Sequence, residues 1–262
     1  MHPLAVVFLL MVEIPAGRLL TVDGQGNPRE VRVASFWIDR TEVTNHEFAR
    51  FVHETNYLTQ AEKDGASGVF DLTAGEWRPV EGANWRHPHG PASLAQPDEP
   101  VVQVSYDDAQ AYATWAGKRL PTDAEWEYAA RGGLVGKLYP WGDELRPNAK
   151  HKANLWQGVF PAANRAEDGF PRLAPVATFS PNGYGLYDMA GNAWEWTADP
   201  SHGQPSAHIV RGGSWLCNEN SCRGYRLSHR GAAASKEGMN NLGFRCVRDA
   251  AKHSTMKGSA HD

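Results

Sequence analysis

Cysteine is scarce, with 3 in 262 residues. That number excludes a small disulfide scaffold and a four-cysteine zinc module. Long apolar runs are lacking too. The run from Pro3 to Val12 ends at Glu13, well short of the roughly 20 apolar residues that span a bilayer. It carries neither the basic start nor the A-x-A-like end of a signal peptide, since the first permanent cation is Arg18. A buried first strand is expected there, with a truncated or atypical signal as the alternative. Charge of one sign is missing as well. Lys and Arg number 26 against 30 Asp and Glu, for a net charge of -4, which excludes a nucleic-acid binder driven by bulk positive charge. There is no solenoid-period repeat and no Ser/Gly-rich or Pro-rich linker. One domain over residues 1–249 is expected, with 250–262 a flexible tail.

What is abundant is Gly (26), Pro (17) and Trp (10), the composition of a chain with many turns and large flat side chains to pack between them. Val31 to Asp39 alternates and reads as a strand. Three helices announce themselves by their caps. Thr44 with Glu47, and Thr122 with Glu125, have the hydroxyl and carboxylate spacing of a capping box, and Ser105 is a third N-cap. Phe48, Phe51 and Val52 share one face of the first helix. Ala109, Tyr112, Ala113 and Ala116 share one face of the second, with Gly117 placed to stop it. Beyond Gly133 the helical period fades into short strands and long loops around Trp141, Trp156, Trp194, Trp196 and Trp215.

No P-loop, G-x-G-x-x-G, H-E-x-x-H or G-x-S-x-G occurs, and His87-Pro88-His89 reads as a surface loop. Two clusters carry chemistry. Cys217 and Cys222, with four residues between them, read as two ordinary thiols or a local disulfide, or as two ligands on one soft metal ion. The second cluster is rich in oxygen. It comprises Asn154, Asp168, and the pair Asp188 and Glu195 around a Gly/Asn turn. It suits a hard cation such as Ca2+, or equally a set of turns and an ordinary ion pair.

Several strings are more specific than these patterns. They are Gly117-Lys-Arg-Leu-Pro-Thr-Asp-Ala-Glu-Trp-Glu-Tyr-Ala-Ala-Arg-Gly-Gly133, Asn182-Gly-Tyr-Gly-Leu-Tyr-Asp-Met-Ala-Gly-Asn-Ala-Trp-Glu-Trp196, Arg211-Gly-Gly-Ser-Trp215 and Asn241-Leu-Gly-Phe-Arg245. Together they resemble the formylglycine-generating enzyme (sulfatase-modifying factor) family from about Met11 to Arg248. Gly82 to Pro91 and Ala153 to Gly158 resemble its enzymatic branch. The resemblance implies an α+β, C-type-lectin-like fold of low regular structure. It also implies oxidation, with O2 and a thiol reductant, of the Cys in a Cys-x-Pro-x-Arg segment of an unfolded sulfatase polypeptide to Cα-formylglycine.

On the same resemblance, Cys217 and Cys222 are catalytic and hold Cu(I), the substrate thiol adding a third sulfur. Ser214, Arg230 and Asn241 line the site. One structural Ca2+ would be held by Asn154, Leu155, Asp168 and Phe170, and a second by Asp188, Gly191, Ala193 and Glu195. Relatives that only bind ligands lack the cysteine pair. A calcium-stabilised lectin-like binding protein, or an oxidase of another thiol, is the alternative. Ala130 and Leu227 stand where vertebrate members have structural cysteines, so Cys246 is expected as a buried free thiol. The missing disulfides favour a cytoplasmic, prokaryotic type of enzyme, with a secreted or periplasmic form left open. A monomer is expected, without nucleic-acid or membrane partners.

Overall fold

A computed structural model describes residues 11–23 and 26–250. Most of the expected Pro3–Val12 strand and almost all of the expected tail lie outside those residues. The edge that is described belongs to β1 (Met11–Ile14), followed by β2 (Gly17–Val22), β3 (Pro28–Val33) and β4 (Phe36–Asp39). The single strand expected over Val31–Asp39 is therefore two. β3 pairs with β2, whereas β4 pairs antiparallel with β1 and with β13 (Val247–Asp249). Residues 34 and 35 carry the chain from one sheet to the other, a change of partner that an alternating pattern does not record.

Helix α1 (Asn45–Thr55) begins where Thr44 accepts from the Glu47 amide and the Glu47 carboxylate accepts from the Thr44 amide. This reciprocal pairing satisfies two amides that the helix leaves open. Asn56, in the left-handed region at φ 53°, ends it. Helix α2 (Gln60–Asp64) uses the same device at Thr59 and Glu62, and β5 (Ala66–Asp71) and β6 (Glu76–Glu81) follow as a hairpin. The caps at Ser105 and Thr122 open α3 (Tyr106–Trp115) and α4 (Asp123–Ala130).

The second half is loop-rich, with the short pair β7 (Gly158–Val159) and β8 (Ala163–Asn164). Its centre is a four-stranded sheet in the order β11-β10-β9-β12. The long strands β9 (Trp194–Ser201) and β10 (Gln204–Arg211) form a hairpin. β11 (Gly231–Ala234) lies antiparallel to β10, and β12 (Leu242–Gly243) lies parallel to β9.

Helices α1 and α3 cover this sheet through Phe48, Phe51, Tyr112, Trp196 and Phe244, all buried. Helix α4 packs Trp126 and Ala129 onto Ile14, Ile38 and Val247 of the three-stranded sheet. Each such side chain contributes roughly 1.5–3 kcal/mol by leaving water. These two cores fix one end of the large sheet, where β9, β11 and β12 begin and β10 ends. Among the described residues no helix is long and apolar enough to cross a membrane.

Candidate active site

The functional side chains gather at that sheet end. After β10 the chain reverses through Gly212 and Gly213, both at positive φ. A Cβ on Gly213 would lie 2.5 Å from the Tyr225 amide nitrogen, so only glycine lets the chain turn here. Ser214 follows directly. The Cys217 amide donates to the Ser214 carbonyl at 2.9 Å, and the Ser214 amide donates to Cys217 Sγ at 3.4 Å. Cys217 and Cys222 are joined as a disulfide, with Cα atoms 4.6 Å apart. The intervening turn is closed by Asn218, whose Oδ1 accepts from the amides of Asn220 and Ser221 at 2.8 and 2.9 Å. Asn241 arrives from the loop before β12, and its Nδ2 donates to Ser214 Oγ at 2.9 Å.

A cleft of about 320 Å³ opens onto these groups, and Ser214, Cys217, Cys222 and Asn241 all line it. Trp194, at the start of β9, forms part of its floor. Phe70, Trp77, Phe160 and Met239 add an apolar wall that sequence reasoning did not identify. Phe70 and Trp77 face each other across the β5–β6 pair, with ring centroids 5.4 Å apart, and Trp77 is 41% exposed. Two aromatics at opposed positions of a short hairpin were the available signal.

Arg230 adjoins Gly231 of the cleft lining, and its own guanidinium is engaged elsewhere. Its guanidinium is drawn to helix α4, where Nε donates to Asp123 at 2.8 Å and Nη2 to Glu127 at 3.1 Å. Buried Arg211 shares both carboxylates. A long cation settles where buried carboxylates need charge, and spacing from the cysteines does not reveal that demand.

The residues of the first expected calcium position lie close together. Asp168 accepts from the amides of Leu155 and Phe170, each at 3.0 Å, and from Gln157 Nε2. The Leu155 carbonyl accepts from Gln157 Nε2. Asn154 Oδ1 is buried and has no hydrogen-bond partner among the described residues, as a free oxygen ligand would. The second position abuts the first, since a Cβ on Gly191 would meet the Asn154 carbonyl oxygen.

Glu195 is fully buried there. Both its oxygens accept from Arg245 at 2.7 Å, and one also accepts from Trp126 Nε1. Asp188 and Glu42 are buried nearby. Burial and the Glu195 charge push the Asp188 carboxyl up to about 6, against the opposing pull of a backbone amide and Arg245. Burial and Asp188 push Glu42 well above its ordinary value. Glu42 was not recognised in the sequence, yet its Oε2 is a second buried oxygen without a hydrogen-bond partner among the described residues. Three buried carboxylates thus face one guanidinium, an excess of negative charge that suits a divalent cation. Among the described residues, no group of three or more His, Cys, Asp or Glu side chains is arranged to hold a metal on its own. Both expected calcium sets combine one or two carboxylates with amide or backbone oxygens.

Cys246 is buried and free. Burial and the neighbouring Asp39 carboxylate push its thiol well above the ordinary range, so it stays protonated and unreactive.

Fold and cleft together define a C-type-lectin-like α+β domain with a paired-sulfur site at one sheet end. The chain belongs to the family of the sulfatase-modifying factor enzyme 1-like domain, which it matches over residues 9–250. It is 46% identical over 278 residues to the formylglycine-generating enzyme of Bos taurus, covering 91% of this chain and 74% of that one. It is also 44% identical over 270 residues to the inactive C-alpha-formylglycine-generating enzyme 2 of Bos taurus, covering 92% and 89%. Among solved structures, PvdO from Pseudomonas aeruginosa superposes with a TM-score of 0.71 at 26% identity, covering 92% and 94% of the two chains.

Proposed function

We propose that this protein converts a cysteine in a Cys-x-Pro-x-Arg segment of an unfolded sulfatase to Cα-formylglycine, using O2, with Cu(I) held by Cys217 and Cys222. Overall identity does not decide the matter, because an active and an inactive relative are almost equally similar. The observation that carries the reading is the cysteine pair itself, placed in one cleft with Ser214 and Asn241.

The residues fit a soft ion. In the disulfide the two Cα atoms are 4.6 Å apart, and reduction of that bond would free two thiolates of the kind that suit Cu(I). That ion would supply the activation of O2 and an open position for the substrate thiol. The chain's own side chains do the rest. The apolar wall of Phe70, Trp77 and Phe160 seats an extended polypeptide beside the sulfurs and keeps water from them. Ser214 Oγ and Asn241 Nδ2 are fixed by their mutual hydrogen bond and by the buried loop. They offer neutral hydrogen-bonding groups at the cleft floor for a developing anionic oxygen. O2 would take four electrons to become two waters, two from the substrate carbon and two from a thiol reductant, while the substrate sulfur leaves as H2S and one water supplies the aldehyde oxygen. Ca2+ at the two oxygen-rich positions would pin loops that lack ladder hydrogen bonds.

The test is incubation of the reduced, Cu(I)-loaded protein with a Cys-x-Pro-x-Arg peptide under air, read by mass spectrometry. Aldehyde in place of the thiol supports the reading. A peptide unchanged by fully loaded protein contradicts it and favours the lectin-like binding alternative.

A further inference from the structure

Phe70 of β5 and Met239 and Asn241 of the loop before β12 all line the cleft. Between the last two stands Asn240, fully buried, whose side chain joins the two segments to a third. Its Oδ1 accepts from the Phe70 backbone amide at 3.2 Å, and its Nδ2 lies 3.0 Å from Nδ1 of His89, in the loop over residues 87–90.

These two contacts fix the state of all three groups. The Phe70 amide is a donor, so the carboxamide must present its oxygen there and its nitrogen to His89. An Nδ2 donor in turn requires His89 Nδ1 to accept. The imidazole is therefore neutral, with its proton on Nε2. Burial, and after it the Arg172 charge, hold the ring pKa down to about 4, in agreement with an accepting nitrogen.

A second set of bonds holds the same segments together by their backbones. Gln103 Nε2 donates to the Gly68 and Pro88 carbonyls at 3.0 and 2.7 Å, and the Gln103 amide donates to the Met239 carbonyl at 3.0 Å. The Asn240 amide donates to the Gly68 carbonyl at 3.1 Å. Loss of the His89–Asn240 contact therefore leaves the segments joined. It removes only the preference for the carboxamide orientation that serves Phe70.

We propose that His89 and Asn240 are positioning residues for the substrate: the accepting ring orients the Asn240 carboxamide, and the carboxamide fixes Phe70 and with it the aromatic wall that seats the polypeptide. The inference rests on the reaction proposed above and adds two residues that act on the substrate through Phe70.

The experiment uses the reduced, Cu(I)-loaded full chain and a Cys-x-Pro-x-Arg peptide under air. Asn240→Ala leaves the Phe70 amide without its side-chain acceptor and should raise KM about tenfold, with kcat within about twofold. His89→Leu, which removes only the orienting acceptor, should raise KM about fivefold. His89→Gln can still accept and should stay within about twofold of wild type. Because His89 acts through Asn240, combining Asn240→Ala with His89→Leu should give the KM of Asn240→Ala alone. The His89 variants carry the test by themselves if Asn240→Ala does not fold. Ring nitrogen NMR shifts of wild-type His89 at pH 7 report the tautomer without any turnover, and Nε2–H is expected.

A ring protonated on Nδ1 overturns the proposal. So does an unchanged KM in His89→Leu, a His89→Gln as impaired as His89→Leu, or losses that multiply in the double variant. A wild type without turnover contradicts the functional reading alone. The same comparisons are then made on Kd for a Ser-x-Pro-x-Arg peptide, and a wild type that does not bind it overturns the positioning claim as well.

Discussion

Asn241 and Ser214 stand 27 residues apart in sequence, and the Asn241 carboxamide donates to the Ser214 hydroxyl at 2.9 Å on the floor of the cysteine-bearing cleft. Asn241 Oδ1 is buried with no hydrogen-bond partner among the described residues. Because the two act as one unit, their removal should not be additive. Ser214→Ala and Asn241→Ala are each expected to lower kcat on a Cys-x-Pro-x-Arg peptide by roughly 10²-fold, the scale of one lost stabilising donor. The double variant should lose little more than either single one. Steady-state kinetics of the three variants checks this, and a simple product of the two losses would show independent roles.

Trp77 contributes to seating rather than chemistry. It is 41% exposed, stacks edgewise on Phe70 and lines the cleft from a hairpin outside the sheet end. Trp77→Ala should raise KM for the peptide by about tenfold through lost apolar contact, worth 1–2 kcal/mol, with kcat within about twofold. Equal loss in kcat and kcat/KM would instead place Trp77 in the chemical step.

Among the described residues, Arg245 is the only cation paired with the buried carboxylates of Glu195 and Glu42. Arg245→Met leaves those charges uncompensated in a dry interior and is expected to destabilise the fold by about 3–5 kcal/mol. Glu195→Gln keeps one acceptor for Arg245, replaces the other with an amide nitrogen, and leaves Arg245 still beside Glu42, so it should cost less. Urea denaturation of both variants, with matched m-values, measures the difference.

His89 gives a pH dependence of known sign. Burial, and after it the Arg172 charge, pull its pKa down to about 4, and its Nδ1 accepts from Asn240 Nδ2 at 3.0 Å. The unfolded chain takes up this proton near pH 6.5, whereas the folded chain does not until about pH 4. Stability from this residue is therefore complete above pH 6.5 and falls as pH drops toward 4, by about 2 kcal/mol at pH 5. His89→Gln retains an acceptor without the titration. Its urea midpoint should change less than wild type between pH 7 and pH 5, and parallel changes would exclude His89 as the cause.

How much of this was legible in the sequence depended on whether the cause was local. The caps at Thr44, Ser105 and Thr122 were, because a capping box is a contact between residues three apart. Helix α2 carries the same box at Thr59 and Glu62, but its five residues hold too few apolar positions to show a period. The cysteine turn was legible as chemistry, since four residues let both sulfurs reach one point. The ion pairs of Arg230 and the placement of Glu42 were not legible, for one reason. Their positions answer to carboxylates and amides more than 100 residues away, such as Glu127 and Asn192. His87 and His89, expected on a surface loop, are half-buried, their rings held by Ser93 and Asn240. No pattern in the Gly/Pro-rich segment records that packing.

The central claim is that Cys217 and Cys222 act together on a peptidyl thiol, and the most direct measurement compares three proteins. Wild type, Cys217→Ser and Cys222→Ser are reduced, loaded with Cu(I) and given the same Cys-x-Pro-x-Arg peptide under air. Aldehyde formation is then followed by mass spectrometry. Turnover by wild type, with loss of both stoichiometric Cu(I) binding and aldehyde in each single variant, is the predicted result. Aldehyde formed at the wild-type rate by either variant, or by none of the three, would contradict it.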